Sequence, residues 1–358
     1  YSERLVEALQ QTCGAAAQIE VIPVKHKDMD INEYDRNIVK IAIDEWDFDQ
    51  YEEAARYVNR EGFGLVLLQY EFGIWPVAHV LCFASHVKTR LITTVHTVAR
   101  TYAMEEYHAY IVQLAAISHK ITVMTELMRW TLESFHGIPG HRIAVIPHGV
   151  PDRPLSRNQG TRRQMNFHKR KIIMTNGLIH GYKGIEYMIQ AMPRILTKHP
   201  DALYLIEGKP HPGGWGVQGY YSTLKKTATD LGLIGSSVIF NNEFSEFSVL
   251  LQKLDDAYIY VNPYTDHTQS VSGTVAMALS AGSTIVSTPY PYAVENLNNG
   301  VGIFVPFRDS NKLAETIIDL LDHPAQVVKH NFAAHHYAQN MTWPKVGQMH
   351  IDLARSIH

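Results

Sequence analysis

The 358-residue chain reads as an α/β protein of two doubly wound, Rossmann-like halves facing across a cleft. Three observations lead there. The length suits two cores of roughly 150 to 180 residues better than a single one. Hydrophobic residues make up 46% and charged residues 19%, the balance of a globular enzyme and not of a disordered chain. The apolar segments are short continuous runs, each followed by a polar loop and often by an amphipathic helix. That alternation argues for parallel sheets covered on both faces.

The chain opens on an amphipathic helix, YSERLVEALQ. A Rossmann half begins instead with a strand and a glycine-rich turn. That strand and loop are expected to be missing, through truncation or loss. In the first half, Ile19–Val24, Gly64–Gln69, Arg90–His96, Lys120–Thr125 and Ile143–Gly149 predict strands, and YEEAARYVNR predicts a helix. Pro151 to Gln164 holds Pro, Arg, Asn and Gly with little apolar content and reads as a linker. The second half repeats the rhythm at Lys171–Gly177, Leu203–Gly208, Ser237–Asn242, Ala257–Pro263, Ser283–Pro289 and Gly302–Pro306. Helical patterns over Gly184–Leu196, Tyr220–Leu231 and Thr274–Ala281 separate most of these. The expected domains are residues 1–155, residues 156–330, and a terminal helix over 331–358 that crosses back onto the first domain.

Bulk properties exclude several classes. The formal net charge is −3, so nothing calls for nucleic acid as a partner. The basic run Lys169–Lys171 is short and fits a solvated linker. Cys13 and Cys82 show no metal-ligand spacing and are too few for a disulfide framework, which points to a reducing, cytoplasmic setting. No apolar run approaches the ~18 residues of a spanning helix, and the opening helix is no signal peptide. His330, His335 and His336 cluster near the tail without a supporting ligand pattern, and read as packing or solvated histidines before a metal site.

Ligands of open parallel sheets bind at the carboxyl ends of the strands. The polar residues there are Gln69, Tyr70 and Glu71, then His96 and Thr97. In the second half they are Asn176 and Gly177, Glu207 to His211, Tyr264 to Thr268, and Thr288 to Glu295. Ser272, Gly273 and Thr274 open a helix of small and apolar residues. Its free amides and dipole suit a phosphate, although Ser272 also makes an ordinary N-cap. Lys183 sits at a helix start, where a cation is mildly unfavourable unless an anion joins it. His96 is either a satisfied core histidine or a donor to a sugar hydroxyl. Glu71 is either a helix-start charge or a carboxylate that orients hydroxyls or takes a proton. His148 reads as structural.

Together, LLQYEFGIW, TTVHT, ITVMTELMRWTLESFHGIPGHRIAVIPHGVPD, NGLIHGYKGIE, NPYTDHTQSVSGTVAMALSAGSTIVSTPYPYAVENL and VGIFVPFRDS resemble glycosyltransferase family 4. The likeness runs from about Asp49 to Leu321. It implies the GT-B fold, retention of anomeric configuration, and a nucleotide-sugar co-substrate linked to UDP or GDP. The implied reaction moves a hexose, mannose or glucose, onto a sugar, glycan or lipid-linked acceptor. A lipid acceptor leaves peripheral membrane contact open. The resemblance makes His96 a contact of the donor sugar, Lys183 a diphosphate ligand, and Gly273 and Thr274 the helix start that takes the distal phosphate. Gly177 and Glu295 complete the donor-binding set. No metal and no further cofactor are implied, and the leaving diphosphate takes the acceptor proton.

Three departures mark a divergent subgroup. The family's frequent pair of glutamates is replaced by Gln269 and Met277. The first can still hydrogen-bond a sugar, whereas a thioether cannot bind ribose hydroxyls. Leu178 stands where an arginine often accompanies the lysine, and the opening glycine-rich loop is absent. A phosphorylase or epimerase on the same fold, or a weakened binding homologue, are the alternatives.

Overall fold

A computed structural model describes residues 1–25, 34–71, 75–98, 105–155, 170–211, 217–243 and 245–357. Lys169 and positions 156–164 of the expected linker lie outside the described residues. The chain divides into two compact units, Tyr1–Gly149 with Trp343–His358, and Val150–Thr342.

In the first unit, β3 (Leu65–Tyr70), β4 (Arg90–Val95), β5 (Lys120–Val123) and β6 (Ile143–Val145) form a parallel sheet in that order. β1 (Val24–Lys25) and β2 (Ile43–Asp44) make a separate parallel pair. The strand expected over Ile19–Val24 thus contracts to its last residue. Pro23 has no N–H to give a ladder, and its carbonyl accepts from Ile43 N at 2.9 Å instead. β6 ends early for the same reason, two residues before Pro147.

Helices α1 (Ser2–Cys13), α2 (Phe48–Glu61), α3 (Val77–His86), α4 (Glu105–Ile117) and α5 (Glu126–Ser134) accompany these strands. Two begin on side-chain caps. Asp47 accepts from Gln50 N, and Thr125 accepts from Met128 N at 3.1 Å, each satisfying an amide that the helix leaves free. Ile92, Val95, Ile121, Val123, Ile111 and Leu114 are buried, each contributing about 1.5–3 kcal/mol on leaving water.

In the second unit the sheet is all parallel, in the order β12-β11-β10-β7-β8-β9. Its strands are β7 (Lys171–Asn176), β8 (Ala202–Glu207), β9 (Val238–Asn241), β10 (Ile259–Asn262), β11 (Ile285–Ser287) and β12 (Gly302–Phe304). The helices are α6 (Ile185–Lys198), α7 (Val217–Asp230), α8 (Phe247–Asp256), α9 (Gly273–Ser280), α10 (Pro291–Asn296), α11 (Ser310–Asp322) and α12 (Pro324–Ala338). The chain leaves β7 towards β8 on one side and returns to β10 on the other. The order therefore reverses between β7 and β10, and loops diverge there at the carboxyl ends.

Two boundaries differ from expectation. The first falls at Gly149, not 155, because Val150 is fully buried in the second unit and its N–H donates to Met341 O at 2.9 Å. The tail is also two helices, not one. Ala334 and Ala338 of α12 pack into the second unit's core beside Val275 and Leu279. Only α13 (Trp343–Ser356) joins the first unit, where Val346 packs with Leu5 and Leu9 of α1 and with Ile146. Pro344 explains the break, since it lacks the N–H that a continuous helix would bond back to Asn340 and is tolerated only in the first turn of a new helix.

Candidate active site

In the first unit, Tyr70 and Val95 are register partners at the ends of β3 and β4. Glu71 and His96 each follow by one residue, so both emerge from the same carboxyl edge. The His96 amide donates to Tyr70 O at 2.9 Å. His96 Nε2 lies 3.0 Å from Gln69 Oε1, while Gln69 Nε2 donates to Thr94 Oγ1 at 3.2 Å and Thr122 Oγ1 donates to Thr94 Oγ1 at 2.7 Å.

Burial, with His148 nearby, drives the His96 pKa down to about 3. The ring is therefore neutral near pH 7, and facing a carbonyl oxygen it carries its proton on Nε2. That proton is already engaged by Gln69. Gln69 therefore occupies Nε2, and Nδ1 is the ring nitrogen with no hydrogen-bond partner among the described residues. Glu71 accepts from Thr97 Oγ1 at 2.6 Å. Burial raises its pKa, opposed by that hydrogen bond, which suits a carboxylate that exchanges protons. His148 stacks edge-on against Tyr1, which in turn meets Trp343 at 5.1 Å between ring centroids.

In the second unit, five expected residues, Gly177, Lys183, Ser272, Gly273 and Thr274, converge at the switch point. Gly177 leaves β7 with φ +116°, and a Cβ there would stand 3.0 Å from Thr274 Cγ2 and 3.7 Å from Lys183 Nζ. Lys183 ends the 3-10 turn Gly181–Lys183 and is buried, with 7% of its surface exposed. Its ammonium donates to the Tyr264 hydroxyl and lies 4.2 Å from that ring's centroid. Tyr264 Oη is 3.2 Å from Thr274 Oγ1, which is 3.1 Å from Ser272 Oγ. Ser272 caps α9 by accepting from Val275 N. The cap and the cluster are therefore the same structure. Gly273 and Thr274 carry first-turn amides that have no acceptor within the helix.

Gln269 and Glu295 make other contacts. Gln269 Nε2 donates to Val271 O at 2.7 Å, which consumes part of the amide expected for the sugar. The charge of Glu295, on α10, bears on Tyr292 and Tyr337. Met277 packs against the apolar cluster around Leu279.

Tyr264 was legible only as one of several polar residues after β10, and its contact with Lys183 spans 81 positions. Tyr260 and Asn262, both buried around it, were not foreseen, and Tyr290, also buried, was legible only as one residue of the run Thr288 to Glu295. Asparagine at the end of an apolar strand was the available signal. Glu207, at the end of β8, is bonded by Lys253 Nζ at 2.8 Å and by Asn241 Nδ2 at 3.0 Å, so its charge is met from within. Among the described residues no group of three or more His, Cys, Asp or Glu is arranged to hold a metal ion.

Two family models match the chain, Glycosyltransferase Family 4 over residues 33–153 and Glycosyl transferases group 1 over residues 169–323. A GDP-mannose-dependent monoacylated alpha-(1-6)-phosphatidylinositol monomannoside mannosyltransferase of Corynebacterium glutamicum is 26% identical over 258 residues. That alignment covers 68% of this chain and 64% of the relative. A glycosyltransferase from Rickettsia africae superposes with a TM-score of 0.79 at 15% identity, covering 99% of this chain and 94% of its own. Anabaena HepE in complex with UDP gives 0.74 at 15%, covering 89% and 87%. Sucrose-phosphate synthase from Thermosynechococcus elongatus gives 0.74 at 17%, covering 99% and 93%.

Proposed function

Because this chain belongs to glycosyltransferase family 4, with the GT-B fold, we propose that it is a retaining hexosyltransferase. Its donor is a nucleotide-diphosphate sugar, with mannose or glucose carried on GDP or UDP. Its acceptor is a hydroxyl of a sugar, glycan or lipid-linked glycan. The mannosyltransferase relative names GDP-mannose and a phosphatidylinositol mannoside, and HepE was solved with UDP. Both fit this donor class.

One observation carries the reading. The Lys183 ammonium is buried beside the first turn of α9, and among the described residues its polar partner is a hydroxyl alone. Among the described residues it forms no ion pair with a carboxylate. A buried cation without a counter-charge is costly, and a diphosphate arriving at the α9 amides supplies that charge. Lysine and helix start together neutralise the leaving group, which is why we propose transfer without a metal.

In this scheme the leaving diphosphate takes the acceptor proton on the face where the new bond forms. His96 Nδ1 accepts from a hydroxyl of the donor sugar, and Glu71 orients the acceptor hydroxyl. The work is proposed to take place in the cytoplasm, with peripheral membrane contact if the acceptor is a lipid. No helix among the described residues is long and apolar enough to cross a membrane.

Met277 favours a second reading. An apolar side chain at the family's ribose position suits a phosphorylase, whose inorganic phosphate needs no ribose contact. Thermal melting with UDP, GDP, ADP and inorganic phosphate separates the two. Stabilisation by one nucleoside diphosphate above phosphate supports the transferase. Stabilisation by phosphate with none from any nucleotide overturns it.

A further inference from the structure

The Lys183 cluster is organised around a residue that none of the family matches above assigns. Tyr264 is 1% exposed, yet its hydroxyl is the point on which the site converges. Lys183 approaches from the 3-10 turn and Thr274 from the first turn of α9. The Tyr264 ring is itself locked. It stacks on Tyr290 with centroids 5.0 Å apart and planes 18° apart, and Tyr182 meets it edge-on at 5.8 Å. Thr265 N donates to Tyr182 O at 2.8 Å, which ties the segment after β10 to the turn that bears Lys183.

We propose that Tyr264 is a positioning residue that holds the Lys183 ammonium at the α9 N-terminus as an uncompensated cation, ready for a diphosphate. The proposal rests on the donor reading above. The choice of side chain is the argument. A carboxylate at this place would fix Lys183 equally well but would cancel its charge. An alkyl group would leave a buried ammonium without an acceptor. A neutral phenol accepts the hydrogen bond without cancelling the charge.

The same arrangement makes the grip sensitive to alkaline pH. The groups facing the phenol are Lys183 and Tyr182 from the turn, Thr274 from α9, Tyr260 and Asn262 from β10, and Tyr290 before α10; Ser272 lies one contact further out, on Thr274. Asp266 bears on Tyr182 from the following loop. Burial by itself raises the Tyr264 pKa, but the Lys183 charge and the hydrogen bonds of Lys183, Thr274 and Asn262 outweigh it. The result lies below the usual phenol value. Once ionised, Tyr264 pairs with Lys183 and opposes an incoming phosphate.

Calorimetric titration with inorganic pyrophosphate tests this, using the folded wild-type, Tyr264→Phe, Lys183→Ala and double-variant proteins. At pH 7, Tyr264→Phe should weaken binding about tenfold, the effect of losing one hydrogen bond to a charged group. In the Lys183→Ala background the same change should have little effect, which a general packing defect would not reproduce. The wild-type to Tyr264→Phe affinity ratio should then fall as pH rises from 7 to 10, with ligand titrations cancelling in the ratio. Equal binding by Tyr264→Phe, or an equal loss in both backgrounds, overturns the proposal. If Tyr264→Phe does not fold, the wild-type to Lys183→Ala ratio serves, and a ratio that stays constant to pH 10 overturns it. A wild-type protein that binds neither pyrophosphate nor any nucleoside diphosphate overturns the donor reading as well.

Discussion

Gln69 Oε1 holds Nε2 of His96 at 3.0 Å, and Thr94 holds Gln69 in turn. The amide, not the histidine alone, decides which ring nitrogen remains for a ligand. Gln69→Glu would replace a neutral acceptor by a carboxylate beside the half-buried imidazole and favour the charged ring. The His96 pKa should rise from its value of about 3. Proton NMR of the imidazole resonances would show it, and turnover at pH 7 should fall because Nδ1 would no longer accept. An unmoved titration would mean that water, not Gln69, controls the ring.

Lys183→Ala removes the ammonium that the described residues place at the α9 cluster. Affinity for the preferred nucleoside diphosphate should drop about 10- to 100-fold, the range for a charged hydrogen-bonding contact. The melting temperature without ligand should hold or rise, since a buried uncompensated cation has been deleted. Calorimetry and a melt report the two quantities separately. Unchanged affinity would remove Lys183 from the donor site.

The contrast between these two sites shows what the sequence makes legible. The parallel sheets were readable because strands such as Leu203–Glu207 are apolar at nearly every position, which buried parallel strands require. Lys183 was readable because a lysine opening a helix is locally out of place. The cap at Ser272 and a phosphate site were rival readings in sequence; the structure shows the cap, with Thr274 beside it, and the phosphate role stays a proposal. Tyr264 could not be assigned, since its meaning lies in a contact 81 residues away. The role of Gln69 was hidden for the same reason, as only strand register brings it to His96 and Thr94. The strand at Ile19–Val24 failed on a single residue, Pro23, whose missing N–H outweighed the apolar pattern.

Gly177 and Gly208 should separate binding from stability. Both have φ values closed to most side chains, +116° and +137°. A Cβ on Gly208 would lie 2.1 Å from Gly177 O, a backbone atom with little freedom, whereas one on Gly177 meets the Thr274 methyl at 3.0 Å. Gly208→Ala should cost more than about 2 kcal/mol or prevent folding. Gly177→Ala should cost about 1–2 kcal/mol and weaken nucleotide binding at least tenfold, by narrowing the approach to Lys183 and α9. Denaturant melts with nucleotide titrations would test the pair. Equal stability losses with Gly177→Ala binding intact would place the ligand elsewhere.

His96 and His148 of the first unit should contribute to its acid limit. Burial lowers His96 to about 3 and His148 to about 4. Unfolded, each gains a proton near pH 6.5. Between those values the unfolded chain binds more protons, so stability falls as pH falls and is unaffected by these groups above about 6.5. The urea midpoint should therefore decline from pH 6.5 towards 4. His148→Phe should flatten the decline by on the order of 1 kcal/mol at pH 4.5, and keep the ring contact with Tyr1. A parallel decline in wild type and variant would show that His148 is solvated and not desolvated by Tyr1 and Trp343.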